Sequence, residues 1–197
     1  MYAAQCRPFS AALSQPNGTE RCASDRANAR VVSAVPALRV PANTNFHVKC
    51  LTVVDEYTRE CLAIDVAGSI RSNRVIEVLS QLISTRGAPQ TLRSDNGPEF
   101  VSRALLRWAL KNELGMALID PGKPWQNGTA ESFNGKFRDE CLSMEWFRVR
   151  QEAKVVIESW REHYNHVRPH SSLENMTPIE FKQKCNSTMK AGAIVQF

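Results

Sequence analysis

Two strand-length apolar runs in quick succession constrain this chain most. FHVKCLTVVD (46–55) and ECLAIDV (60–66) flank the polar turn EYTR, and the second run alternates apolar with polar positions. That pattern predicts an antiparallel hairpin. In NRVIEVLSQLISTRG (73–87), Val75, Val78, Leu79, Leu82 and Ile83 recur on one helical face, with Gly87 as the stop. TLRSDN reads as a short strand ending at Asp95, VSRALLRWALKNELG (101–115) as a second amphipathic helix, and MALID (116–120) as another strand. PGKPWQNG (121–128) is a loop by composition, and 129–142 and 152–167 read as helices. Strands, helix, strand, helix, strand and then helices predict an α/β architecture.

Upstream of Phe46 the character changes. Residues 1–45 hold ten Ala, four Pro, and five Arg against two acids, with no sustained period of 2 or 3.6. The best strand candidate there is RVVSAVPALRV (30–40), but Pro36 in its middle restricts it to an edge or a bulge. The expected organisation is therefore an atypical segment, disordered or frame-shifted, over 1–45, a core over 46–184 and a tail over 185–197. The net charge is +5, of which the first 45 residues supply +3, so bulk charge alone does not mark a nucleic-acid protein. Six scattered cysteines without a CxxC pair argue against a zinc site or a disulfide framework and fit a reducing cytoplasm. No apolar run approaches a membrane span, and no basic-then-apolar leader opens the chain, so no membrane partner is expected.

LRSDNGPEF (92–100) carries Asp95 at a turn signal, and Glu131 stands in the first turn of a helix. Carboxylates delivered by a strand end and a helix can hold divalent metal. Two such ions about 4 Å apart activate an attacking oxygen and stabilise a leaving one. Each acid also has a plainer reading. An Asp before Asn-Gly shapes a turn, and an early helical Glu complements the dipole. Asp55, ahead of Glu-Tyr-Thr-Arg, reads as a turn-starting residue. Glu131, Asn134 and Arg138 share a helical face, beside an apolar stripe of Ala130, Phe133, Phe137 and Cys141.

SDNGPEF, KPWQNGTAESFNGKFRDECL and HYNHVRPHSSLENMTPIEF, in that order, resemble the catalytic core of bacterial insertion-sequence transposases of the OrfB type, within the retroviral-integrase DDE superfamily. FHVKCLTVVDEYTRECLAIDV is similar to that family's second and third strands, so the resemblance runs from about Phe46 to about Lys184. It implies an RNase H-like mixed sheet with flanking helices. It further implies a carboxylate triad holding two Mg²⁺ or Mn²⁺ ions, and metal-dependent DNA cleavage and strand transfer for transposition. Asp95 matches the triad's second acid, Glu131 the third, and Arg138 the basic position beyond it. The implied partners are insertion-sequence ends, target DNA, and a second copy or an intact transposase, in a bacterial cytoplasm at the nucleoid.

The triad's first acid should stand on the first strand. The corresponding stretch reads SAVPAL (33–38), without an acid, so the expected first strand is degenerate and this copy is expected to be defective. Lys123, Trp125 and Asn127 in the loop before the helix, with Lys136 and Arg138 on it, are candidate DNA contacts. Trp125 has an alternative place packed under its loop. His163, His166 and His170 are not arranged with acids as ligands, and Pro169 breaks the helix between the last two. Val156, Trp160 and Tyr164 form a core stripe, and Thr177-Pro178 starts a last helix.

Overall fold

The hairpin forms where its alternation places it. The computed structural model describes residues 31–40, 48–120 and 122–192. Strands β1 (Val31–Val40), β2 (Val48–Asp55), β3 (Cys61–Ala67), β4 (Thr91–Ser94) and β5 (Gly115–Leu118) make one sheet in the order β3-β2-β1-β4-β5. Helices α1 (Ser72–Arg86), α2 (Arg103–Lys111), α3 (Gly128–Phe137), α4 (Arg150–His166) and α5 (Pro178–Gly192) flank it. β1 pairs antiparallel with β2 and parallel with β4, so the sheet is mixed and its first strand is central.

That strand corrects one expectation. The core does not begin at Phe46, because Val31–Val40 fills the middle of the sheet. The physical reason is local. Proline donates no ladder hydrogen bond, and Pro36 sits where the register with β2 slips, between Pro36 and Leu38. Pairing to β4 covers Val31 to Ala34 and stops short of the proline. The central strand therefore tolerates Pro36 by bulging beside it. The expectations for residues 1–30 and 41–45 lie outside the described residues. The tail boundary also shifts, since α5 continues to Gly192.

Side chains sort onto two faces of the sheet. Val48, Cys50 and Val54 of β2 pack with Phe133 and Phe137 of α3, and with Ala153, Ile157 and Tyr164 of α4. Leu51 and Val53, of the other parity, pack with Val75, Val78 and Leu79 of α1 and Leu105 of α2. The result is a three-layer α/β/α sandwich. α2 is shorter than its apolar period suggested, because Glu113 adopts a left-handed φ of 57° and turns the chain. Gly115 then opens β5 rather than ending the helix, and a Cβ there would stand 3.0 Å from the Gln90 carbonyl oxygen. At the C-terminal end, Thr177 and Glu180 form a reciprocal capping box with Pro178 at the first helical position.

Candidate active site

α3 is seated by its apolar stripe. Ala130, Phe133, Phe137 and Cys141 are all buried, as their spacing requires. Phe133 lies edge-on to Tyr164 at 5.0 Å, and Phe137 meets Trp160 at 4.9 Å, which joins α3 to α4 through aromatic contacts. The adjacent face carries Glu131, Asn134 and Arg138. Asn134 fixes that face over the sheet, because Thr52 on β2 donates a hydrogen bond to Asn134 Oδ1 at 3.1 Å. Beyond Phe137 the helix widens into one π turn, Arg138–Leu142, which begins with the basic residue of the expected site.

Asp95 follows β4. Leu92 points to the α1/α2 layer, so Arg93 and, two residues on, Asp95 take the α3 side. Asp95 Oδ1 accepts from the Gly97 amide at 3.0 Å, forming a local turn. Burial pushes its carboxyl above the ordinary value; the Gly97 hydrogen bond opposes that, and the charge of Glu99 adds to it.

The strand registers show what stands between the two helix-side positions. Position 35 on β1 pairs with Thr52, and it lies one residue past the last β1–β4 pair, Ala34–Ser94, beside Asp95. Neighbouring strands run about 4.8 Å apart, so position 35 sits between Asp95 and the Thr52–Asn134 contact. Glu131 is one helical turn before Asn134 and is exposed. Asp95 follows β4, Glu131 is exposed on α3, and position 35, paired with Thr52 and next to the Ala34–Ser94 pair, is a valine. Among the described residues no three His, Cys, Asp or Glu side chains are grouped to hold a metal. Among the described residues a two-metal carboxylate set is not completed. Asp55 Oδ1 accepts from the Tyr57 and Thr58 amides, as a turn-starting residue does.

The other candidates separate. Trp125 is 71% exposed, not packed under its loop. Lys123 pairs with Asp120 at 2.8 Å, and Gln126 also hydrogen-bonds Asp120, so that loop closes on itself. Asn127 is turned inward at 7% exposed, with an Oδ1 that has no hydrogen-bond partner among the described residues. Arg138 is exposed, while Lys136 is half-buried with its ammonium 3.2 Å from Ser132 Oγ.

Lys136 and Trp125 line an open groove of about 520 Å³ whose other walls were not foreseen. Arg59 reaches it from the hairpin turn with a φ of 61° and donates to Thr129 Oγ1. Arg93, paired with Glu56 at 2.7 Å, reaches it from β4, and Ser171 and Ser172 follow α4. No spacing rule links these residues, because three separate elements bring them together. His170 closes one wall; burial drives its imidazole down to about 4, with Arg168 and Lys136 adding to the shift, so it is neutral.

A mixed five-stranded sheet with a central first strand, carrying acids at the end of β4 and on α3, defines an integrase-type core. Residues 25–124 and 112–178 each match an integrase core domain family, and the chain belongs to the integrase core domain family. The match begins before Phe46 and takes in β1. A 31.7 kDa protein of insertion element IS407 from Burkholderia multivorans is 48% identical over 149 residues, covering 76% of this chain and 54% of that protein. A 39.2 kDa protein of insertion element IS476 from Xanthomonas euvesicatoria is 49% identical over 134 residues, 68% of this chain and 39% of that one. The chain therefore spans about half or less of these relatives. The catalytic core of the BIV integrase superposes with a TM-score of 0.61 at 16% identity, covering 82% of this chain and 99% of that one. The HTLV-2 integrase catalytic core, in complex with magnesium and in dimeric form, gives 0.56 at 16% identity over 78% and 96%. These two likenesses establish the RNase H-like fold.

Proposed function

We propose that this chain is the catalytic-core portion of an insertion-element transposase, built for metal-dependent DNA cleavage and strand transfer, and that this copy binds DNA without cutting it. Its relatives are insertion-element proteins, which supports the first half. The second half rests on one observation. Valine stands at position 35, between Thr52 and Asp95, where the set would need its first carboxylate. Asp95 and Glu131 alone offer Mg²⁺ or Mn²⁺ too few oxygens for the geometry of in-line attack.

Arg138 is exposed on the helical face that carries Glu131, and Trp125 and Lys136 line the groove on the neighbouring face of α3, which leaves all three free to meet DNA in this reading. A core that binds ends but does not cut them would interfere with an intact transposase, whether by occupying DNA or by joining its assembly. The expected locale is the bacterial cytoplasm, at the nucleoid. No described helix is long and apolar enough to cross a membrane.

The test is a nicking assay on end-sequence DNA with Mg²⁺ or Mn²⁺, run beside a binding assay. Retention of DNA without nicking is the expected result. A metal-dependent nick that disappears in Asp95→Asn would overturn the reading.

A further inference from the structure

The groove beside α3 is separate from the carboxylate face. Thr129, Ser132 and Lys136 line it, whereas Glu131, Asn134 and Arg138 do not. At 100° per residue, Ser132 and Lys136 stand about a third of a turn around the helix from Glu131. Its polar walls are hydroxyls, the Gln126 amide and three cations, Arg59, Arg93 and Lys136, against one carboxylate, Glu56, which pairs with Arg93, and the buried His170 also lines it.

Lys136 is the telling residue. Its ammonium contacts a serine hydroxyl and makes no ion pair among the described residues. Burial, and then the cations of Arg168 and Arg59, hold it below its ordinary value, while Glu140 opposes them only partly. Glu140 is itself engaged by Arg168 through hydrogen bonds from Nε at 3.1 and 3.0 Å. A half-buried, under-neutralised cation facing a polar groove is matched by a phosphate. Trp125 lines the groove beside Gln126 and is 71% exposed as a residue. A cationic groove with an open aromatic face at its edge is the arrangement that holds unpaired bases, which stack while the backbone follows the charge. The groove volume of about 520 Å³ is of the size that encloses one small ligand. It suits a nucleotide or two and is too small for a duplex segment.

We propose that this groove is a second nucleic-acid site, taking a short unpaired strand, with Trp125 stacking a base and Lys136 holding a phosphate. The inference rests on the reading of the chain as a DNA-binding core and assigns to it a site distinct from the Asp95–Glu131 face. Thr129, Ser132, Ser171 and Ser172 supply neutral hydrogen bonds along the strand. Any base is accepted, because stacking does not read sequence.

Fluorescence anisotropy with labelled single-stranded DNA, single-stranded RNA and duplex of equal length tests this, using the full chain. Trp125→Ala is expected to weaken single-strand binding roughly 5- to 100-fold, with Trp125→Phe recovering much of the loss. Lys136→Gln should lower the slope of log affinity against log salt by about 0.7 for the single strand. Arg138→Ala should weaken duplex binding and leave the single strand within about twofold. Single-stranded DNA and RNA binding comparably supports a base-stacking groove. If duplex binding is present but neither Trp125→Ala nor Lys136→Gln changes single-strand affinity, the second site is refuted and the DNA-binding core stands. If the chain binds no nucleic acid in any form, both fall.

Discussion

Asp95 carries a carboxylate that its surroundings resist charging. Burial comes first among the causes, and the sign of the consequence follows from it. A group whose folded pKa is raised is comfortable when protonated, and costs stability as pH rises through that folded value. Asp95→Asn should therefore raise the melting temperature at pH 7 by roughly 1–3 °C and leave it unchanged near pH 3. The amide can still accept from Gly97. Glu60 shows the opposite sign. It is 2% exposed; burial pushes its carboxyl up, but hydrogen bonds and charge from Lys182 and Arg86 outweigh that and hold it below the ordinary range. Its contribution is present above the unfolded value and lost as pH falls through the folded one. Glu60→Gln should cost about 2–3 kcal/mol at pH 7, under the ~3–5 of a fully dry pair because both cations are partly exposed, and the deficit should shrink on acid titration. Urea melts at several pH values check both residues. Glu60 was not legible in the sequence, since its partners lie on α1 and α5. Asp95 was legible because it sits in a rare string at a turn.

At the scale of elements, the helices and the hairpin follow from periodicity. β1 does not. VVSAVPALRV lacks a clean alternation and contains a proline, and it becomes central only because β2 and β4 each offer it an edge. A chain beginning at residue 46 should lose cooperative unfolding in a thermal melt, because β2 and β4 would no longer share a strand. The outer edge at β3 is managed differently. The Asn165 side chain on α4 accepts from the Cys61 amide at 2.8 Å and donates to the Cys61 carbonyl at 2.9 Å, so an amide takes the place of a neighbouring strand. Asn165→Ala removes the partner of the Cys61 amide, while Arg161 Nη1 still donates to the Cys61 carbonyl at 3.1 Å, and should cost about 1–3 kcal/mol in a urea melt. Nothing in HYNHV announces this role, since the spacing that matters is 104 residues.

For the whole molecule, the proposed site draws on Asp95 after β4, Glu131 on α3 and the register position of Val35 on the central strand. The family resemblance made the acids readable in the sequence; the proposal of position 35 for the third place comes only from the strand pairing. The central claim is that position 35 completes a set with Asp95 and Glu131. Mn²⁺ binding to Val35→Asp, followed by calorimetry and by melts with and without the ion, measures this most directly. The parent should bind Mn²⁺ only weakly, and Val35→Asp should bind at least about tenfold more tightly and melt higher with the ion, with the gain lost on adding Asp95→Asn or Glu131→Gln. Tight Mn²⁺ binding by the parent, or a gain in Val35→Asp that survives removal of Asp95 and Glu131, would contradict it.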